Sequence, residues 1–113
     1  MNERGVAGEA LAARFLEGRG LKIVARNYRC RLGEIDLIAR EGGTTIFIEV
    51  RQRKSSAFGG ASGSITARKR TRLIRAARHY LSRMDTLPAC RFDALLIEGD
   101  PPRIDWIRNA FGA

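Results

Sequence analysis

Residues 33–50 read GEIDLIAREGGTTIFIEV. Two apolar runs flank Gly42-Gly43, and each run carries one acid in its interior, Asp36 in the first and Glu49 in the second. Strand interiors disfavour acids, so the two carboxylates need a reason. A Gly-Gly pair between alternating apolar runs predicts a two-residue hairpin loop. With Glu41 opposite Thr44, Ala39 faces Ile46, Leu37 faces Ile48 and Ile35 faces Val50, and every pair on that face is apolar. The other face pairs Ile38 with Phe47, Asp36 with Glu49 and Glu34 with Arg51. A slip by one residue would mix the two faces, so the pattern selects this register.

Asp36 and Glu49 are then direct cross-strand neighbours, with Cβ atoms expected about 4.5–5.5 Å apart. Like charges at that distance repel, and two remedies exist. One carboxylate can be protonated, or paired in an ion cluster with Arg51 and Arg53. Alternatively a divalent cation lies between them, since hard cations such as Mg²⁺ and Mn²⁺ take carboxylate oxygens together with water and phosphate oxygens. The spacing alone leaves both readings open.

Outward from the hairpin, residues 3–18 read as a helix, with Gly8, Leu11, Ala12, Phe15 and Leu16 on one stripe and Gly20 as its stop. Glu9 lies on the border of that stripe. Residues 21–25 form a short strand that 27–31 can extend. The uncharged, glycine-rich stretch 55–64 reads as a mobile loop. Residues 65–84 form a second helix whose apolar stripe is Leu73, Ile74, Ala77, Tyr80, Leu81 and Met84. Residues 90–98 are a strand, 99–102 a turn, and 104–111 a last strand or short terminal segment. The order is helix, three or four strands, helix, one or two strands, which predicts a single α/β domain over residues 1–113 with a mixed sheet.

Composition narrows the function. The net charge is +9, and no acid occurs between Glu49 and Asp85. Ten basic residues fall in that gap, while the other eleven face all twelve acids. The gap therefore carries +10 and the rest of the chain −1. A one-sided basic segment is the electrostatic footprint of a polyanion, and Arg53, Lys54, Arg68, Lys69, Arg70 and Arg72 are its nucleic-acid-binding candidates. No motif for reading bases is present, so contacts fall on phosphates. Cys30 and Cys90 lack any zinc-type spacing and read as reduced packing residues. No apolar run reaches the ~20 residues that span a bilayer, and residues 1–15 lack a signal peptide's apolar core. The expectation is a soluble, cytoplasmic protein with no membrane partner.

The blocks GEIDLIA, IFIEVRQR, AFGGASGSIT, KRTRLIRAARHYL, CRFDALLI and the closing NAF, in this order across essentially the whole chain, resemble the bacterial YraN family. That family is similar to the archaeal Holliday-junction resolvases and to the restriction-endonuclease-like group with a D…ExK core. The resemblance implies a restriction-endonuclease-like fold, a central mixed sheet flanked by helices. It implies a Mg²⁺- or Mn²⁺-dependent nuclease that hydrolyses phosphodiesters in DNA, including branched structures, and a homodimer. The metal ligands it implies are Glu9, Asp36, Glu49 and the main-chain carbonyl of Val50. Asp36, Glu49 and the cation two residues after the Glu would be the catalytic set. That cation departs from the pattern: the family usually has EVK, and this chain has EVR. Arg51 keeps the charge but cannot deprotonate, so it can stabilise phosphate charge and cannot serve as a base. Lys69 matches a lysine at the head of the second helix, as a phosphate contact or a replacement cation. The alternative function is a non-catalytic nucleic-acid-binding module on a nuclease fold.

Overall fold

The computed structural model describes residues 3–53 and 66–112, with side chains described over 8–52 and 66–112. The elements in chain order are α1 (Glu3–Gly18), β1 (Lys22–Cys30), β2 (Gly33–Glu41), β3 (Thr44–Arg53), α2 (Ala67–Leu81), β4 (Ala89–Glu98) and β5 (Arg103–Phe111). The strands form one sheet in the order β1-β2-β3-β4-β5. Only β3 and β4 run parallel, and α2 lies on the crossover between them; the other neighbours are antiparallel. This is the α/β class with a mixed sheet. The expected loop at 55–64 and the candidate Lys54 lie outside the described residues, as does the Arg53 side chain.

Each helix covers one face. On one side Ala12, Ala13 and Leu16 of α1 pack with Leu37, Ala39, Ile46 and Ile48. On the other, Leu73, Ala76 and Ala77 of α2 pack with Ile35, Ile38, Phe47 and Phe92. α1 stops where Gly20 takes φ +92°. There the Leu21 N–H donates to Leu16 O and the Gly20 N–H to Glu17 O, which satisfies two terminal carbonyls. α2 starts at Thr66, whose hydroxyl accepts the Lys69 N–H, so the helix is shorter at both ends than expected. Met84 lies past its end and is exposed. β1 is one continuous strand with a bulge at Val24. Its Tyr28 hydroxyl meets His79 Nδ1 of α2, which ties the sheet edge to the helix. Cys30 packs beneath α2 as expected, whereas Cys90 is exposed.

The hairpin has the expected register from Glu41↔Thr44 to Leu37↔Ile48. Beyond that point the expectation fails in an informative way. The β2–β3 ladder has no further partners after Leu37 and Ile48. On the other side, Asn27 and Asp36 drop out between the partners Arg26↔Leu37 and Tyr28↔Ile35. Residues two apart in a regular strand share a face, yet Leu37 packs under α1 and Ile35 under α2. β2 therefore loses its alternation at Asp36. Ile35 and Val50 consequently lie in or against different cores, and the expected Glu34–Arg51 pair gives way to Glu34–Arg29 and Arg51–Glu49.

The start of β2 fixes α2 in place. A Cβ at Gly33 would overlap the main-chain carbonyl of Arg72, whereas one at Gly43 meets nothing. Gly33→Ala is expected to destabilise the protein by about 1–3 kcal/mol, as overpacking does. Gly43→Ala is expected to stay within about 0.5 kcal/mol of wild type. Urea denaturation of the two variants checks this.

Candidate functional site

The break in β2 opens a cleft of about 220 Å³ between the N-terminal parts of the two helices. α1 contributes Gly8 and Glu9, β2 contributes Glu34 and Asp36, β3 contributes Glu49 to Gln52, and α2 contributes Lys69 and Arg72. Sequence positions 9, 36, 49–51, 69 and 72 thus converge although up to 63 residues separate them.

Asp36 lies at the centre. Its Oδ2 accepts the Val50 N–H at 2.8 Å. The side chain thereby takes the place of a main-chain acceptor where the two strands part, and this turns the carboxyl group inward. Asp36 and Glu49 hydrogen-bond to one another, so the expected contact exists without their being ladder partners. Burial and the Glu49 charge push the Asp36 carboxyl up to about 7, against the lowering effect of the Val50 N–H. Burial also raises Glu49, while Arg51 and Lys69 hold it down. Below about pH 7 the raised Asp36 carboxyl therefore favours one proton shared between the two groups, a proton that belongs to the pair rather than to either residue.

Glu9 stands on the same cleft but outside that contact. Burial raises its carboxyl, a hydrogen bond from the Asn27 side chain lowers it, and Asp36 acts on it through space as a like charge. Among the described residues no three Asp, Glu, His or Cys groups are already gathered as a metal-ligand cluster. What exists is a two-carboxylate contact with two further acids, Glu9 and Glu34, on the same cleft. This donor set suits a hard cation, which takes one or two carboxylates and completes its shell with water and phosphate oxygens.

Cations line the same cleft. Arg51 Nη1 lies 3.4 Å from Glu49 Oε1, with only 19% of its side chain exposed. Lys69 and Arg72 reach the cleft from exposed positions on α2. The other two α2 candidates do not line it: Arg70 lies 5.5 Å over the Phe111 ring, and Arg68 is exposed outside the cleft.

A second buried carboxylate provides the contrast. Asp93 of β4 is fully buried and accepts from Arg91 Nε at 3.0 Å, Trp106 Nε1 at 2.9 Å and the Asn109 N–H at 2.8 Å. Its lone pairs are satisfied inside the protein, so it acts as a structural clasp between β4 and β5. The pattern CRFDALLI contains one partner, Arg91, but gave no sign of the clasp, because Trp106 and Asn109 lie more than a dozen positions away. Asn27 was missed for the same reason.

Comparison with known proteins gives a family and no activity. The model of the uncharacterised protein family UPF0102 matches residues 8–97. A UPF0102 protein of Nitrosospira multiformis is 54% identical over 109 residues, covering 96% of this chain and 92% of its own. One of Methylobacillus flagellatus is 51% identical over 114 residues and covers both chains completely. One of Aeromonas hydrophila is 52% identical over 106 residues, covering 91% of this chain and 80% of its own.

The shared proton has a sign that stability can read. Asp36 binds its proton more tightly folded than unfolded, so the stability it contributes is complete below the ordinary Asp range near pH 4. It is lost as pH rises towards about 7. Asp36→Asn is expected to flatten this fall and to be more stable than wild type at pH 8, as measured by urea denaturation across pH 4–8. Divalent cation is expected to restore wild-type stability at pH 8 and to leave Asp36→Asn unchanged.

Proposed function

The chain belongs to the uncharacterised protein family UPF0102, and we propose that it is a metal-dependent nuclease that hydrolyses phosphodiester bonds in DNA on a restriction-endonuclease-like fold. The observation that carries this reading is the Asp36–Glu49 contact, a buried acid pair that shares one cleft with Arg51, Lys69 and Arg72. A purely structural acid pair has no use for an open cleft lined with cations, as the closed Asp93 clasp illustrates.

Asp36 and Glu49 would hold Mg²⁺ or Mn²⁺, with Glu9 and the Val50 carbonyl completing the protein ligands. Once bound, such an ion polarises a phosphate oxygen and lowers the pKa of a water. The chain's own residues supply the rest. The Val50 N–H fixes the orientation of Asp36. Glu49 anchors the Arg51 guanidinium at the mouth of the acid pair, where its fixed charge stabilises the extra negative charge that builds on the phosphate. Lys69 and Arg72 bind the phosphates flanking the scissile one. Water adds to phosphorus and releases a proton to solvent, the bond to the leaving sugar oxygen breaks, and that oxygen takes up a proton from solvent. Arg51 does not accept the proton from water, because a guanidinium does not deprotonate in a protein.

The second reading, a binding module without catalysis, is favoured by one observation. Arg51 replaces the expected lysine and lies against Glu49, where it competes with a cation for that carboxylate. Arg51→Lys separates the readings. In a weakened nuclease centre it is expected to raise Mg²⁺- or Mn²⁺-dependent cleavage of duplex or branched DNA above wild type, with folding intact. In a centre that needs only a cation it leaves an already active wild type little changed. If neither form cleaves while both bind, the module reading stands.

Binding is expected to show no marked sequence preference and to weaken steeply with salt, as counterion release requires. Removing Arg68, Lys69, Arg70 and Arg72 together is expected to abolish most of it. Fluorescence anisotropy at 50 and 200 mM salt checks this, and constant affinity across that range would rule out phosphate contact.

A further inference from the structure

Among the described residues only two that are not glycine have positive φ, and both are asparagines at 52°, Asn27 and Asn109. Each sits beside an irregularity in a strand ladder, and each is bonded to a carboxylate. Asn109 lies in β5 near the shift between Phe92 and Ala94, and its main-chain N–H donates to Asp93. Asn27 lies in β1 opposite Asp36, where the ladder skips a pair between Arg26↔Leu37 and Tyr28↔Ile35, and its side chain hydrogen-bonds Glu9 of α1. The Asn109 arrangement belongs to the structural clasp. Asn27, exposed and outside the cleft lining, reaches the cleft through Glu9, and the nuclease chemistry above leaves it without a role.

We infer that Asn27 is a positioning residue for the cation site, holding the Glu9 carboxylate toward Asp36 by donating from its side-chain amide while its left-handed backbone keeps the ladder open where Asp36 turns inward. The inference rests on the proposed function and deepens it. Glu9 comes from a helix, and Asp36 from a strand that α1 touches only lightly. Nothing in the α1 core, which is built on Ala12, Ala13 and Leu16, fixes the rotamer of a residue one turn earlier. An amide donor on the neighbouring edge strand does so. The choice of asparagine meets both demands at once. Among residues with a side chain, Asn and Asp are the ones that tolerate left-handed backbone readily, and of the two only Asn offers a donor. Groups that hold a metal ligand in this way typically cost 10–100-fold in affinity when removed.

The test uses the whole chain and Mn²⁺ alone as the probe, with isothermal titration at pH 7.5. Asn27→Gly keeps the left-handed backbone without strain and removes the donor. It is expected to bind Mn²⁺ about ten- to a hundred-fold more weakly than wild type. The decisive arm is the pair of backgrounds. In Glu9→Gln the further change Asn27→Gly is expected to alter Mn²⁺ affinity less than threefold, because its target is already gone. If Asn27→Gly weakens binding equally in both backgrounds, or not at all in wild type, Asn27 does not act through Glu9 and the inference falls while the cation site remains. If wild type itself binds no Mn²⁺ although its thermal melt shows a folded protein, the cation site falls and the inference with it.

Discussion

One hydrogen bond, from the Val50 N–H to Asp36 Oδ2, stands where the central hairpin stops being a sheet. A strand that parts from its neighbour leaves main-chain donors without acceptors, and a buried donor left unpaired costs about 1–3 kcal/mol. The Asp36 side chain takes over the acceptor role, so the parting of β2 and β3 is tolerated and the carboxyl group is held inside rather than in solvent. The cleft follows from this. So does the shift of Ile35 to the α2 core, since β2 resumes its pleat on the other side of Asp36.

The charges in the cleft are arranged by layer. The acids come from α1 and the two hairpin strands, while the cations come from α2 and from the residue two after Glu49. An anionic ligand approaching from solvent meets exposed Lys69 and Arg72 before the buried pair, which is the order a phosphate bridged through a cation requires. The α2 cations reach the cleft because Gly33 lets the helix backbone lie directly on β2. A fold element that looks like packing thus sets the distance between the acids and the α2 cations.

Much of this was legible in the sequence. Gly42-Gly43 and the alternation around it specified the hairpin register, and the two acids in apolar company marked the pair. The span of α1 and its Gly20 stop were visible because periodicity and the C-cap are local signals. The course of β2 beyond Asp36 was not legible. Strict alternation predicted Ile35 with Leu37, and only the neighbouring strands, with Asn27 on one side and Val50 on the other, impose the break. The same holds for Asp93, whose donors Trp106 and Asn109 lie on a different strand. Local patterns report which face a residue prefers, whereas a break in a ladder is a property of three strands together. The acid-free stretch was visible as charge, but which cations reach the cleft depended on how α2 docks, and Arg70 turned instead to Phe111.

The central claim is that Asp36 and Glu49 exchange their shared proton for a divalent cation. Crystals grown at pH 8 and soaked in Mn²⁺, with diffraction recorded at a wavelength where manganese scatters anomalously, test it most directly. The expected result is a single strong anomalous peak in the cleft, within coordination distance of both carboxylates, with Glu9 drawn towards it. An empty cleft in which the two carboxyl groups still share a hydrogen bond, with manganese bound elsewhere or nowhere, would contradict it.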